Sequence, residues 1–167
     1  MTRKGRVLAA LALSAFLGPV PGTPAQQSAP DGWHRFTATW TLKGQRQTLD
    51  TGAEHPSSIV HLIGPLTLTS GQGIGRGLLG EVLGFDDGAA LLAGRAVFTN
   101  ERGDKIFCDL RAEPIGATRR ATATITGGTG RFSKLQGDFS FTWQYVVDSG
   151  GGEVDLRAVD VEGRTRQ

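Results

Sequence analysis

Short runs in which apolar and polar residues alternate recur along most of this chain, and they restrict its fold more than any other feature. Phe36, Ala38, Trp40 and Leu42 alternate with three threonines, a pattern typical of a β-strand with one buried face. Similar runs follow at a spacing of about 10 residues, which is typical of an antiparallel sandwich or barrel. No amphipathic helix pattern interrupts them. We therefore predict an all-β fold.

Turn signals rich in glycine, proline, asparagine and aspartate separate the predicted strands. The strands cover residues 36–42, 46–51, 59–69, 78–85, 91–99, 106–112, 121–126, 135–147 and 154–161. Residues 43–45 are predicted to turn, and the glycine-rich segment 70–77 is predicted to be an exposed loop. Short sequential connections favour a meander, and about eight antiparallel strands can close into a barrel without free edges.

The most distinctive local motif is the run ITGGTGRF at residues 125–132, followed by Gly137 and an aromatic strand. Three glycines in four positions allow backbone angles that other residues avoid, so we predict a reversal between two strands. The motif and its late position resemble the allene oxide cyclase-like barrel superfamily, which includes the dirigent proteins. The turn at 99–104 and the segment 141–145 also resemble exported bacterial proteins of undefined role. The resemblance implies a barrel that associates as a dimer or trimer, and it assigns no catalytic residue.

Residues 1–25 have the layout of a secretory signal peptide. A basic start at positions 3–6 precedes an apolar run at 7–17, and small residues at 23–25 are suited to cleavage before Gln26. The apolar run is shorter than the roughly 20 residues that a membrane-spanning helix needs. We therefore expect a periplasmic or secreted protein without a stable membrane anchor. Residues 26–32 are then a polar linker, and 33–167 form a single β-barrel domain.

Composition excludes several classes of partner and site. Segment 1–25 carries three basic and no acidic residues, so the remaining chain is near neutral although the whole chain has a formal charge of +2. Without a stripe of Lys and Arg, we expect no nucleic-acid partner. His34, His55 and His61 are not accompanied by ligands at metal-binding spacing. We expect neither a metal nor a cofactor.

Cys108 is the single cysteine, so the domain cannot contain an internal disulfide and must be held together by packing. Its alternation with Ile106 and Leu110 predicts a buried, inert thiol.

Two titratable residues share strand faces with large apolar residues. Glu81 has the parity of Leu79, Leu83 and Phe85. Inside an apolar lumen its carboxyl group would have a raised pKa and could transfer protons. The alternative is that the face with Leu78 and Val82 is buried, which would place Glu81 outside.

His61 shares a face with Ile59 and Ile63, and inside the barrel it could exchange protons near neutral pH or be a core histidine.

Two further features suggest a ligand site. Arg95 could receive an acidic ligand at the barrel mouth or belong to an ion-paired outer surface with Asp109. Phe141, Trp143 and Tyr145 continue an aromatic row that starts at Phe139. This row is either core or the lining of a cavity for a planar or lipid-like ligand, with Tyr145 as the polar group.

Three functions remain open at this point. The first is an exported module that binds a small hydrophobic molecule in the lumen. The second is a cyclase or isomerase that shapes a reactive substrate, with Glu81 and His61 as proton-transfer groups. The third is a structural protein with a side-chain-filled barrel. Whether the chain is an enzyme is left open.

Overall fold

The computed structural model describes residues 32–50, 52, 56–86, 92–115, 118–149 and 151–167. The predicted signal peptide at 1–25, most of the linker at 26–32, and His55 lie outside the described residues. These expectations stay predictions.

Eight antiparallel strands form a closed barrel in which each strand pairs with its neighbours in sequence and the first pairs with the last. Because the ring closes, no edge strand is left to pair with another chain. The predicted all-β, antiparallel, eight-stranded closed barrel is confirmed. The elements are β1 (His34–Leu49), β2 (Ser57–Gly71), β3 (Gly77–Asp86), β4 (Leu92–Thr99), β5 (Lys105–Ile115), β6 (Thr118–Gly128), a short 3-10 helix (Gly130–Phe132), β7 (Gln136–Asp148) and β8 (Glu153–Arg166).

The turn predicted at residues 43–45 is wrong, because this segment lies within β1. Gly44 is paired with Leu62 of β2 on one side and with Val154 of β8 on the other. Pairing on both sides satisfies the backbone, and this outweighs the weak strand preference of glycine. A Cβ at position 44 would collide with the backbone of His61, so glycine also permits the close approach of β2.

One end of the barrel, where β1 begins and β8 ends, is closed by apolar side chains, and we call it the capped end. The connection at 72–76, predicted to be exposed, buries Ile74. The segment after the GGTG motif buries Phe132 and Leu135. Arg131 Nη2 joins the two connections by donating to the carbonyl oxygen of Ile74 at 3.4 Å. The opposite end, where β1 ends and β2 begins, is the distal end.

The GGTG motif requires glycine for two different reasons. Gly130 has a φ of +54°, in the region that favours glycine, and an added Cβ there would collide with the carboxylate of Asp104. At Gly128 an added Cβ would lie 2.6 Å from the carbonyl oxygen of Phe132. The motif therefore brings the chain close to the turn at 100–104 and directs Phe132 into the barrel end.

An aromatic cluster fills the middle of the barrel. Trp40 is 1% exposed, and its ring centroid lies 5.0 Å from that of Phe98 and 5.5 Å from that of Phe141. Phe98 also contacts Phe139, with centroids 5.7 Å apart. The indole N–H of Trp40 donates to the carbonyl oxygen of Gly64 at 3.2 Å, so the polar atom of this buried ring is satisfied.

Gly80 makes room for this cluster, because a Cβ there would lie 2.9 Å from both Trp40 and Phe98. We expect Gly80→Ala to lower the free energy of unfolding by about 1–3 kcal/mol through overpacking. Urea denaturation followed by tryptophan fluorescence measures the change. Gly77→Ala on the same strand is the matched control, since no atom lies within 4 Å of its added Cβ. Equal stability of the two variants would contradict this account of the core.

Burial raises the pKa of the Cys108 thiol from 9.0 to about 12, and the carboxylate of Asp109 adds to this effect. We expect a thiol-reactive disulfide reagent at pH 8 to leave the native protein unlabelled and to label it promptly in concentrated guanidinium chloride. The raised native pKa stabilises the fold below pH 9, and this contribution is lost as pH rises towards 12. Rapid labelling of the native protein would contradict the buried placement.

Candidate functional site

The alternation of buried and exposed residues places Glu81 on the outer surface. On β3, Leu78 and Val82 are buried, whereas Leu79 and Leu83 are exposed along with Glu81. Successive side chains of a strand point to opposite faces, so residue 81 cannot share the interior with Leu78 and Val82. The placement of Glu81 in the lumen is wrong, and the alternative reading of its strand is confirmed.

His61 also lies outside, since Val60 and Leu62 are the buried residues of this part of β2. Its Nε2 atom is 2.8 Å from Oε1 of Glu81, and both side chains are more than half exposed. The sequence pattern indicates which residues share a strand face with His61 and with Glu81, but not whether that face points into the barrel or to the outside. Pairing of β2 with β3 then brings the two residues together, which sequence periodicity alone does not indicate.

Arg95 lies on the outer wall rather than at the barrel mouth. Its Nε atom is 3.4 Å from Oδ1 of Asp109 on the paired strand β5. Asp109 Oδ1 has no hydrogen-bond partner, so the contact is an ion pair without hydrogen-bond geometry. The alternative of an ion-paired outer surface is therefore the correct one for Arg95.

The aromatic row of β7 faces the interior. Phe139 and Phe141 belong to the aromatic cluster, and Trp143, also buried, is the next inward residue towards the distal end. Tyr145 follows and is 43% exposed, with its ring centroid 6.4 Å from that of Trp143. Two of the three predicted ligand-binding aromatic residues thus line the lumen, and the third lies at its distal end.

The capped half of the lumen has almost no free space. Among the described residues, a cavity of about 10 Å³ lies between side chains that include Phe98, Ile106 and Phe139. This volume has room for about one water molecule. A small organic ligand would have to displace the aromatic cluster to bind here.

The distal half of the lumen has a different wall, because several inward positions carry one methyl group or none. Gly84 is paired with Gly94, and Ala112 is paired with Ala121. Ala96 also faces this region. The other buried residues of the described distal half are apolar: Leu42, Val60, Leu62, Val82, Leu110, Trp143, Val154 and Leu156. Several inward side chains of this half are therefore small, and its buried residues are apolar.

Polar groups appear again at the distal rim. Arg46 follows Gly44 on the inward face of β1 and is paired with Val60. The guanidinium carbon of Arg46 lies 5.4 Å from the ring centroid of Tyr145, a cation–π arrangement. The sequence pattern does not identify Arg46, because it predicts a turn at residues 43–45. Continuing the alternation from Phe36 through Gly44 would have found it.

The described part of the chain contains no group of three or more His, Cys, Asp or Glu side chains that could hold a metal ion. In the same residues, no helix is long and apolar enough to cross a membrane.

Comparison with known proteins gives structural neighbours only. No protein-family model matches the chain, and no curated protein matches it. The fold is similar to that of the pterocarpan synthase dirigent protein GePTS1, with 15% identity, a TM-score of 0.47, and coverage of 87% of this chain and 99% of that one. It is also similar to the pterocarpan synthase dirigent protein PsPTS1, with 14% identity, a TM-score of 0.44, and coverage of 79% and 95%. No residue role is transferred from either protein.

Proposed function

We propose that this protein is an exported barrel that binds a small apolar molecule in the distal half of its lumen. The observation that carries the proposal is the contrast between the two halves. Large aromatic side chains fill the capped half. In the distal half, several inward positions carry only glycine or alanine: Gly84, Gly94, Ala96, Ala112 and Ala121. In an eight-stranded barrel the interior is filled either by side chains or by one small ligand.

The chemistry of this region selects the class of ligand. Each buried CH₂ group of a ligand contributes about 0.8 kcal/mol when it leaves water, and the buried residues that the structure describes in this half are apolar. The Trp143 ring can pack against a planar ligand. At the rim, Arg46 can pair with an anionic group and Tyr145 can donate a hydrogen bond. The expected ligand is therefore apolar, of small size, with one anionic or hydrogen-bond-accepting end.

The enzymatic alternative loses its proposed proton-transfer groups, because Glu81 and His61 lie on the outer surface. Among the buried inward residues of the distal half that the structure describes, none carries a carboxylate or an imidazole. A substrate-shaping reaction without acid–base groups would use the same half of the lumen, so ligand binding is the first property to test. The third alternative is a structural protein whose barrel is filled by side chains. The capped half of the lumen is filled in this way.

Larger side chains in the distal half of the lumen should abolish ligand binding. We expect Ala121→Leu to reduce the binding of N-phenylnaphthylamine, an apolar fluorescent probe, by at least about 10-fold, because the added side chain occupies the space of the ligand. Fluorescence titration measures the affinity. Thr122→Leu on the same strand is the matched control, since residue 122 is exposed on the outside. Ala112→Leu is a second filling variant, and thermal unfolding establishes that each variant is folded.

A wild type that does not bind the probe contradicts the proposal. So does binding that survives both filling variants but is lost in Leu83→Ser, because the probe would then occupy the outer surface.

The rim should distinguish charged from neutral ligands. We expect Arg46→Gln to weaken the binding of anilinonaphthalene sulfonate about 10-fold through the lost charge-assisted hydrogen bond. Binding of N-phenylnaphthylamine, which lacks the sulfonate, should change less than about 2-fold. Equal losses for both probes would show that Arg46 supports the fold and not the anionic group.

Export forms part of the proposal and rests on the leader-like sequence of residues 1–25. The mass of protein recovered from outside the cytoplasm should correspond to a chain beginning at Gln26. A chain found only inside the cell with its full length would contradict export.

A further inference from the structure

A second feature of the molecule, independent of the lumen, is a large apolar area on its outer surface. Six large apolar side chains of β2, β3 and β5 are exposed, from 37% at Phe107 to 57% at Leu83. We call this area the β2–β5 face, and its apolar members are Ile59, Ile63, Leu79, Leu83, Phe85 and Phe107.

The strand register makes these residues contiguous. Ile59 is paired with Phe85. Ile63 is paired with Glu81, Glu81 with Val97 of β4, and Val97 with Phe107 of β5. Neighbouring strands lie about 4.8 Å apart, so side chains in such rows touch and form one continuous surface.

The opposite outer surface has a different character. Around β7, β8 and β1 a polar groove of about 520 Å³ is lined by residues such as Ser140, Glu162 and Thr37. Within it, Arg164 Nε lies 3.1 Å from Asp138 Oδ2.

The other exposed large apolar residues that the structure describes, Leu49, Tyr145, Val146 and Val147, lie near the distal ends of β1 and β7. Along the length of the barrel wall, the exposed apolar residues are therefore concentrated on β2, β3 and β5. A contiguous patch of this size marks an interaction site on a soluble domain.

We propose that the β2–β5 face binds the same face of a second copy of this chain, giving a two-fold symmetric dimer. A half-exposed side chain of this size presents roughly 100 Å², so the six residues offer on the order of 600 Å² of apolar surface. A standard interface buries about 800 Å² on each partner, of which roughly two thirds is apolar in homodimers. The face therefore supplies the apolar area that one stable dimer needs.

The charged residues of the β2–β5 face are compatible with burial of this face against the same face of a second copy. Glu81 is hydrogen-bonded to His61, and Arg95 is ion-paired with Asp109, all within one copy. The Arg95–Asp109 ion pair can be covered without leaving an uncompensated charge, and the hydrogen bond with His61 gives one carboxylate oxygen of Glu81 a partner. Both signs are present, so two identical faces related by a two-fold axis can meet without a repulsive field.

Sedimentation velocity of the full chain from about 1 to 100 µM tests the dimer. We expect the wild type to sediment as a dimer, and Leu83→Lys to raise the dissociation constant at least about 30-fold, as for a residue central to an interface. Val146→Lys is the matched control, because Val146 is equally apolar and 63% exposed but lies on β7. It should leave the dimer intact.

Leu79→Lys provides a second disrupting variant, and far-UV circular dichroism checks that each variant keeps the barrel. A monomeric wild type over the whole range would overturn the proposal, as would a dimer that survives both lysine variants. A monomer that co-sediments with phosphatidylglycerol vesicles through this face would overturn it in favour of a lipid partner. These outcomes do not depend on probe binding in the lumen, so the proposed dimer and the proposed ligand binding can be contradicted separately.

Discussion

The packing of Trp40 across the barrel is the contact on which the rest of the structure depends. Its indole ring meets Phe98 and Phe141, and Gly80 leaves the space that the ring occupies. Eight strands enclose an interior only wide enough for side chains or one small ligand, so a large ring at the centre divides the lumen. On the capped side, Ile74, Phe132 and Leu135 pack at the barrel end and complete a filled core. On the distal side, several inward positions carry glycine or alanine.

The fold was largely predictable, because alternating runs and turn residues are local signals. The predicted turn that is wrong involves Gly44, because a glycine between polar residues is typical of a turn. There the backbone is held by β2 and β8 together, and pairing between distant segments cannot be read from local sequence. The GGTG motif was correctly recognised as a reversal. Its role in bringing Phe132 into the barrel end depends on the turn at 100–104, which is also a tertiary contact.

The candidate site was less predictable for a specific physical reason. Periodicity divides a strand into two faces but does not say which face is inside. On β3 both faces carry large apolar residues, so Glu81 could not be assigned from Leu79 and Leu83 alone. The glycines on the other face of that strand, Gly80 and Gly84, were the available signal, since a narrow barrel needs small residues on its inner wall. Trp143 was predictable because its row has a polar opposite face.

The closure of the barrel by β1 and β8 also determines how the domain can be attached to anything else. His34 and Thr165 are paired, so the chain enters and leaves the barrel at neighbouring points of the capped end. A tether, tag or fused domain joined at either point would extend from that pole. The distal pole, with Arg46 and Tyr145 at its rim, would face away from the attachment.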